Sequence, residues 1–319
     1  MKTTIAFIAL VCMTLWACND PAPVKDKEYL IAYNIHIPDT SRDDWEIMVM
    51  NFDGSDKKNI LQNDDVAWTY YAYEDQLYFI SDRDTAYRNF YLYRCDPNGN
   101  NIKKVSDLRL EDSWMSSRNN GKELAVAGRM GTEVRYQLFI INTENGEYRQ
   151  LTNDTAALFR DPCFSPDGKQ LVASYQANKR DRTAHEELFL INDDGTVGKQ
   201  ITRYPEDNPS AQEYGYRAGS ARWHPTENFI SYVSKQDGRH SIFATTPDGN
   251  KNWKLIENPA SEGWHDWSSD GKWLVYNNSD AEEMQFHISL MNWKTKEVKQ
   301  LTDTTYRSQL SPVFVVKQR

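Results

Sequence analysis

Short runs of alternating apolar and polar residues, separated by turn-forming Pro, Asp, Asn and Gly, fill nearly the whole chain, and no segment keeps a helical period over a dozen residues. In "CFSPDGKQLVAS", residues 163–174, two such runs flank a tight turn. Pro166 presets φ, Asp167 suits the next position, and Gly168 accepts the backbone that the exit requires. The runs "DPCF", "KQLVAS", "EELFLINDDG" and "GKQIT" then read as four consecutive strands.

The same order returns around "ARWHPTENFISYVS" and "HDWSSDGKWLVYNN", and in earlier copies around "AWTYYAYEDQLYFIS" and "WMSSRNNGKELAVAG". The turn between the last two strands of each unit falls at Gly54, Gly99, Gly146, Gly195 and Gly249, with spacings of 45, 47, 49 and 54 residues, and a glycine-free sixth turn lies at Trp293 to Lys296. A period of that length, made of strands, fits the blades of a β-propeller. "EYLIAYNIHI" and "WEIMVMNFDGSDKKNIL" supply three strands that lack an innermost one, and "QLSPVFVV" is an innermost strand without outer partners. Pairing them completes a sixth blade and removes the open sheet edges. The prediction is an all-β chain: a six-bladed β-propeller of four-stranded antiparallel blades, spanning residues 29–319 and closed by pairing of the N- and C-terminal strands.

Residues 1–17 have the layout of a secretory signal peptide: Lys2, an apolar run from Ile5 to Trp16, then Ala17. The ending Leu15-Trp16-Ala17-Cys18 resembles the bacterial lipoprotein signal, which implies cleavage before Cys18 and lipid on its sulfur. Polar, Pro-rich residues then make 18–28 a tether. The expected location is the bacterial cell envelope, with the chain lipid-anchored, in the outer membrane, and facing the periplasm or the exterior. A net charge of −9 argues against nucleic acid as a partner. Of four Cys, Cys12 leaves with the signal, Cys18 is the anchor, and Cys95 and Cys163 read as buried strand residues rather than a disulfide framework.

The turn "SPDG" after an aromatic, followed by a strand, "N/D-x-D-G" and "QLT" or "QIT", is similar to the TolB-type repeat, a WD-like propeller unit. That resemblance covers residues 29–319 and speaks for architecture. The repeat also occurs in propeller domains of prolyl-oligopeptidase relatives and in oligogalacturonate lyases, so it does not choose a function. Full TolB carries an α/β domain ahead of its propeller, and the short stretch between Cys18 and Tyr29 is expected to hold none. The nucleophile elbow G-x-S-x-G of the peptidase relatives does not occur, nor does a P-loop, a G-x-G-x-x-G or a C-x-x-C, and "HEELF" lacks the second His of a zinc helix.

Oligogalacturonate lyases use a His-rich metal site above the channel. By repeat alignment His265 takes the position of Pro162, at the start of an innermost strand, and His36, His185 and His240 fall in or beside loops on the same face. No neighbouring His pair accompanies them, and neither a metal site nor a cofactor is expected. Innermost strands all start on one face, which nominates Asp65, Trp68, Trp114, Arg160, Asp161, Arg217, Trp264, His265 and Gln309 at the channel mouth. Aromatic faces beside charges suit a sugar or a protein surface. The connection "RYPEDNPSAQEYGYRAG", residues 203–219, interrupts the regular spacing on that face and adds Tyr214 and Tyr216. The expected function is a monomeric, non-catalytic binding module for a protein or glycan. The alternative is a metal-assisted carbohydrate-active enzyme resembling oligogalacturonate lyase.

Overall fold

The computed structural model describes residues 27–38, 44–131, 134–181, 185–204, 217–236, 238–257 and 260–317. The signal peptide, Cys18 and most of the tether therefore lie outside the described residues. Blade 1 contains β1 (Tyr29–Ile37), β2 (Asp44–Asn51) and β3 (Lys58–Asn59), and blade 2 contains β4 (Ala67–Tyr73), β5 (Gln76–Ser81), β6 (Tyr91–Cys95) and β7 (Lys103–Lys104). Blade 3 is β8 (Ser116–Arg118), β9 (Glu123–Met130), β10 (Val134–Asn142) and β11 (Tyr148–Gln150); blade 4 is β12 (Leu158–Phe164), β13 (Leu171–Gln176), β14 (Glu187–Ile191) and β15 (Val197–Gln200). Blade 5 is β16 (Gly219–Trp223), β17 (Ile230–Gln236), β18 (Arg239–Thr245) and β19 (Asn252–Lys254); blade 6 is β20 (Ser261–Trp267), β21 (Trp273–Ser279), β22 (Phe286–Asn292) and β23 (Val298–Gln300). The last strand, β24 (Gln309–Val316), runs antiparallel to β1, from Val316 beside Tyr29 to Gln309 beside Ile35, and completes blade 1 from the inside. The six four-stranded antiparallel sheets are those expected from the sequence, closure included.

Strand alternation explains why each sheet needs two neighbours. Ile31, Tyr33 and Ile35 of β1 point one way, into a cluster with Val275, Ile288 and Leu290 of blade 6, while Ala32 points the other way, towards Ala67, Leu77 and Phe79 of blade 2. Both faces are apolar, so a blade with one neighbour would leave one of them in water and an isolated blade both. Cys95 and Cys163 are buried free thiols within these layers.

The recurring "QLT/QIT" also has a physical reading. Thr152, Thr202 and Thr302 each accept the amide of Leu138, Leu188 or Ile288 on the third strand of their own blade, at 2.8–2.9 Å. The Gln two residues earlier donates to the same Thr carbonyl, at 2.6 Å for Gln150, 2.8 Å for Gln200 and 2.9 Å for Gln300. The middle residue then carries the next blade's turn glycine. A Cβ on Gly249 would stand 2.9 Å from Ile201 Cα, and one on Gly54 would stand 2.9 Å from the Leu301 carbonyl oxygen. The second contact joins blade 1 to blade 6 across the ring closure. Both glycines have positive φ, so conformation and space exclude a side chain together.

Glu46, near the start of β2, accepts the Asn63 amide at 2.8 Å through Oε1, while its buried Oε2 has no hydrogen-bond partner. Burial, opposed by that amide and reinforced by Asp44, pushes its carboxyl up to about 7. The folded value lies above the unfolded one, so ionised Glu46 costs stability that grows as pH rises through about 4 to 7. Glu46→Gln is therefore expected to raise the melting temperature at pH 8 by about 2–5 °C and to give a much smaller gain at pH 5. Scanning calorimetry at the two pH values checks this, and an equal shift at both would count against it.

Candidate functional site at the channel mouth

The innermost strands β4, β12, β16, β20 and β24 each carry a register shift near mid-strand. At three of these bulges a non-glycine residue takes the left-handed conformation: Asp161, Ser220 and Ser311, with φ of 52–54°. Each bulge bends its strand and changes which face the residues on either side of it show. Beside the bulge residues Asp161 and Ser220 lies a cavity of about 450 Å³ with walls from every blade, from Tyr70 through Trp114, Tyr136, Arg160 and Trp264 to Leu310.

The cavity has two differently charged sides. On one, Arg160 and Arg217 approach the same buried carboxylate, Glu186, at 3.4 and 3.7 Å, and Arg160 also lies 5.0 Å from the centre of the Tyr136 ring. Burial raises the Glu186 pKa against the pull of the two guanidiniums. On the other side stand Glu262, Glu283, His240 and Asn277, next to Trp264, which at 38% exposure is the open aromatic face of the mouth. Elsewhere on the wall Tyr70 donates to Asp112 at 2.5 Å, in a spot where burial raises both groups.

Asp161 is a structural tie as well as a wall. Its Oδ1 accepts Trp114 N at 3.0 Å and Ser113 Oγ at 3.1 Å from blade 3, and its Oδ2 accepts Ser220 N at 2.7 Å from blade 5. Behind the cavity, Arg222 of β16 crosses the channel: it stacks 4.0 Å from the centre of the Trp114 ring, donates to the Tyr70 carbonyl at 3.4 Å, and faces Asp266 at 3.7 Å. Burial lifts Asp266 to about 6 even so.

Of the residues nominated from sequence, Trp114, Arg160, Asp161, Arg217 and Trp264 line this cavity. Trp114 is nevertheless only 2% exposed, covered by Arg222. The other described candidates lie elsewhere. Trp68 packs against Trp45 and Phe90 with Arg88 over its face. Asp65 accepts from Asn63 at 2.9 Å and faces Arg83 at 3.5 Å. Gln309 is buried, donating to the carbonyls of Asp303, Tyr306 and Phe286. His265 is fully buried and bonds Ser231 at 2.7 Å, with burial and the nearby Arg222 depressing its pKa to about 3.

The bulge accounts for His265. It pairs with Tyr276 just after the register shift, as Cys163 pairs with Val172, whereas Pro162 sits inside its own bulge. An alignment anchored on the turn misses that one-residue offset, and in a strand one residue reverses the face. Tyr214 and Tyr216 lie outside the described residues.

The other His are also dispersed. His36 packs on Trp45, His185 on Tyr204, and His240 bonds Glu283 at 3.1 Å in the cavity wall. Among the described residues no group of three or more His, Cys, Asp or Glu is placed to hold a metal ion. Sequence reading missed Glu186, Tyr136, Asp112, Glu262, Asn277 and Glu283. Tyr136 and Asn277 reach the mouth from third and second strands, and Asp112, Glu186 and Glu283 from loops, so counting along innermost strands cannot find them. Glu262 lies on the innermost strand β20 itself, two residues ahead of Trp264, and was within reach of that count.

These features define a class: a closed six-bladed β-propeller with an open cavity at one end of its channel. Within it, the fold is that of the TolB-like propellers. TolB from Acinetobacter baumannii superposes with a TM-score of 0.67 at 16% identity, over 90% of this chain and 66% of that one. An oligogalacturonate lyase solved in complex with manganese superposes with a TM-score of 0.54 at 15% identity, over 80% of this chain and 70% of that one. In sequence, 115 residues, 35% of this chain, are 32% identical to Dipeptidyl-peptidase 5 of Porphyromonas endodontalis, and the match spans 15% of that protein's length. No family model matches the chain.

Proposed function

We propose that the chain is a non-catalytic binding module of the bacterial cell envelope, tethered through lipid on Cys18, which docks a protein partner at the channel mouth. The observation that carries this reading is the open cavity of about 450 Å³ whose wall offers Arg160 and Arg217 on one side and a bare Trp264 on the other. Partly exposed Arg and Trp side chains around a recess are the anchors on which protein interfaces concentrate their energy. A glycan platform needs stacked open rings, and Trp68 and Trp114 are both covered, which favours the protein over the sugar. Two of the cavity carboxylates with raised pKa are engaged in holding the wall: Asp112 by Tyr70, Glu186 by two Arg. The lipid anchor and the outer membrane rest on residues 15–18 alone.

A photo-crosslinking residue placed at Trp264 in cells is expected to give a discrete protein adduct. The same residue at Tyr148, exposed on the outer strand β11, should give none, and Arg217→Glu should weaken the Trp264 adduct. Equal adducts at both positions would overturn the reading. So would release of unsaturated products from oligouronides by the purified protein.

A further inference from the structure

We infer that the blade 6 side of the mouth is a subsite for a positively charged side chain, Lys or Arg, presented by the protein partner. The inference rests on the binding-module reading above and adds the chemistry of what is bound.

Glu262 and Asn277 both line the cavity and are 0% and 3% exposed. Neither oxygen of the Glu262 carboxylate, nor the Asn277 side-chain oxygen, has a hydrogen-bond partner. Burial pushes the Glu262 carboxyl up to about 7, opposed only in part by Lys254 and by the nearby Ser241 hydroxyl and Ile242 amide, so these buried acceptors are costly to maintain. Buried acceptors left open in this way fit a ligand that brings donors. Gly263 between them allows the arrangement: a Cβ there would stand 2.5 Å from Asn277 Nδ2, so any side chain would push the amide off the strand.

Glu283, about one-third exposed, lines the same cavity and is fixed by His240 Nδ1 at 3.1 Å and by Ser261 Oγ at 3.2 Å. Trp264 sits on the same strand with its ring open to solvent. A partly exposed carboxylate, an exposed aromatic residue and buried acceptors lining one cavity give a cation three kinds of contact: an ion pair, a ring contact and hydrogen bonds. The Arg pair that could repel such a group is engaged with Glu186. Charge selection follows from this placement, since an acidic side chain would meet Glu283 and then Glu262.

Trilysine and triglutamate, added separately to the purified chain at low salt, test the subsite through the indole N–H signals of the Trp side chains. Trilysine is expected to shift the Trp264 signal and saturate, whereas triglutamate should leave it in place. Glu283→Gln and Glu262→Gln should each weaken trilysine binding tenfold or more. Asp107→Asn, which removes an equal charge from an exposed site away from the cavity, should change it less than twofold. Glu283→Gln keeps the test valid should the buried substitution not fold. Equal weakening by all three variants would reduce the effect to general attraction by an acidic protein and overturn the subsite, as would tighter binding of triglutamate. If trilysine fails while the Trp264 crosslink to a partner persists, the charge assignment falls and the binding module stands; if both fail, the module itself falls.

Discussion

A chain cut after Ser308 is expected to lose cooperative folding altogether. The cut removes β24, whose Val313, Phe314 and Val315 are buried between blades 6, 1 and 2. Burying three such side chains contributes about 5–8 kcal/mol, and the lost ladder with β1 strips the inner edge of blade 1 of its partner. Phe314 N also donates to Asp266 at 3.0 Å, so an acceptor that already sits at raised pKa inside the channel loses a donor. Against the roughly 5–15 kcal/mol by which a domain is stable, that loss leaves nothing to hold the ring.

A rearranged chain separates closure from composition. Val316 lies beside Tyr29 in the antiparallel ladder, and Lys317 N already donates to the Glu28 carbonyl at 2.9 Å. Moving residues 308–317 ahead of Lys27 through a two- or three-residue turn therefore recreates β24 as the first arm of a hairpin. That permutant is expected to melt as a single transition, where the truncated chain aggregates or shows none. A truncated chain that still melted cooperatively would mean that the ring does not depend on its latch.

The ring was legible in the sequence because the features that make it are local and repeated. The turn glycines, the "SPDG" corners and the Gln-Leu-Thr caps each serve a backbone requirement that recurs every 45 to 54 residues, so pattern alone exposes it. The latch was legible because an innermost strand without partners has only one vacancy to fill. The mouth was legible in part. Arg160, Asp161 and Trp264 could be counted out from innermost strands, but Gln309 and His265 could not be told from them, because a bulge decides which face a residue shows. Trp68 was misleading for another reason: exposure of a Trp depends on whether a distant Arg, here Arg88, comes to lie on its ring. The pairing of two Arg with one Glu186 joins positions 160, 186 and 217, and no spacing rule connects them.

Asp161→Ala is expected to cost about 3–5 kcal/mol, more than its place in a binding cavity would suggest. The substitution removes the acceptor for two backbone amides, Trp114 N and Ser220 N, and for the Ser113 hydroxyl, groups that belong to the blades on either side. Each buried donor left without a partner costs about 1–3 kcal/mol, reduced where cavity water can reach it. Asp161 also holds φ of 52°, a conformation that Asp and Asn tolerate and Ala does not without strain of about 1 kcal/mol. Asp161→Asn should therefore recover roughly half the loss: it tolerates the backbone and keeps the oxygen facing Trp114, but it sets an NH₂ against the Ser220 amide. Urea denaturation midpoints of the three proteins order them wild type, Asn, Ala. A purely ligand-binding role predicts instead that all three unfold together and differ only in crosslinking at Trp264. An Ala variant as stable as the wild type would mean that the three blades meeting at Asp161 hold their spacing without it.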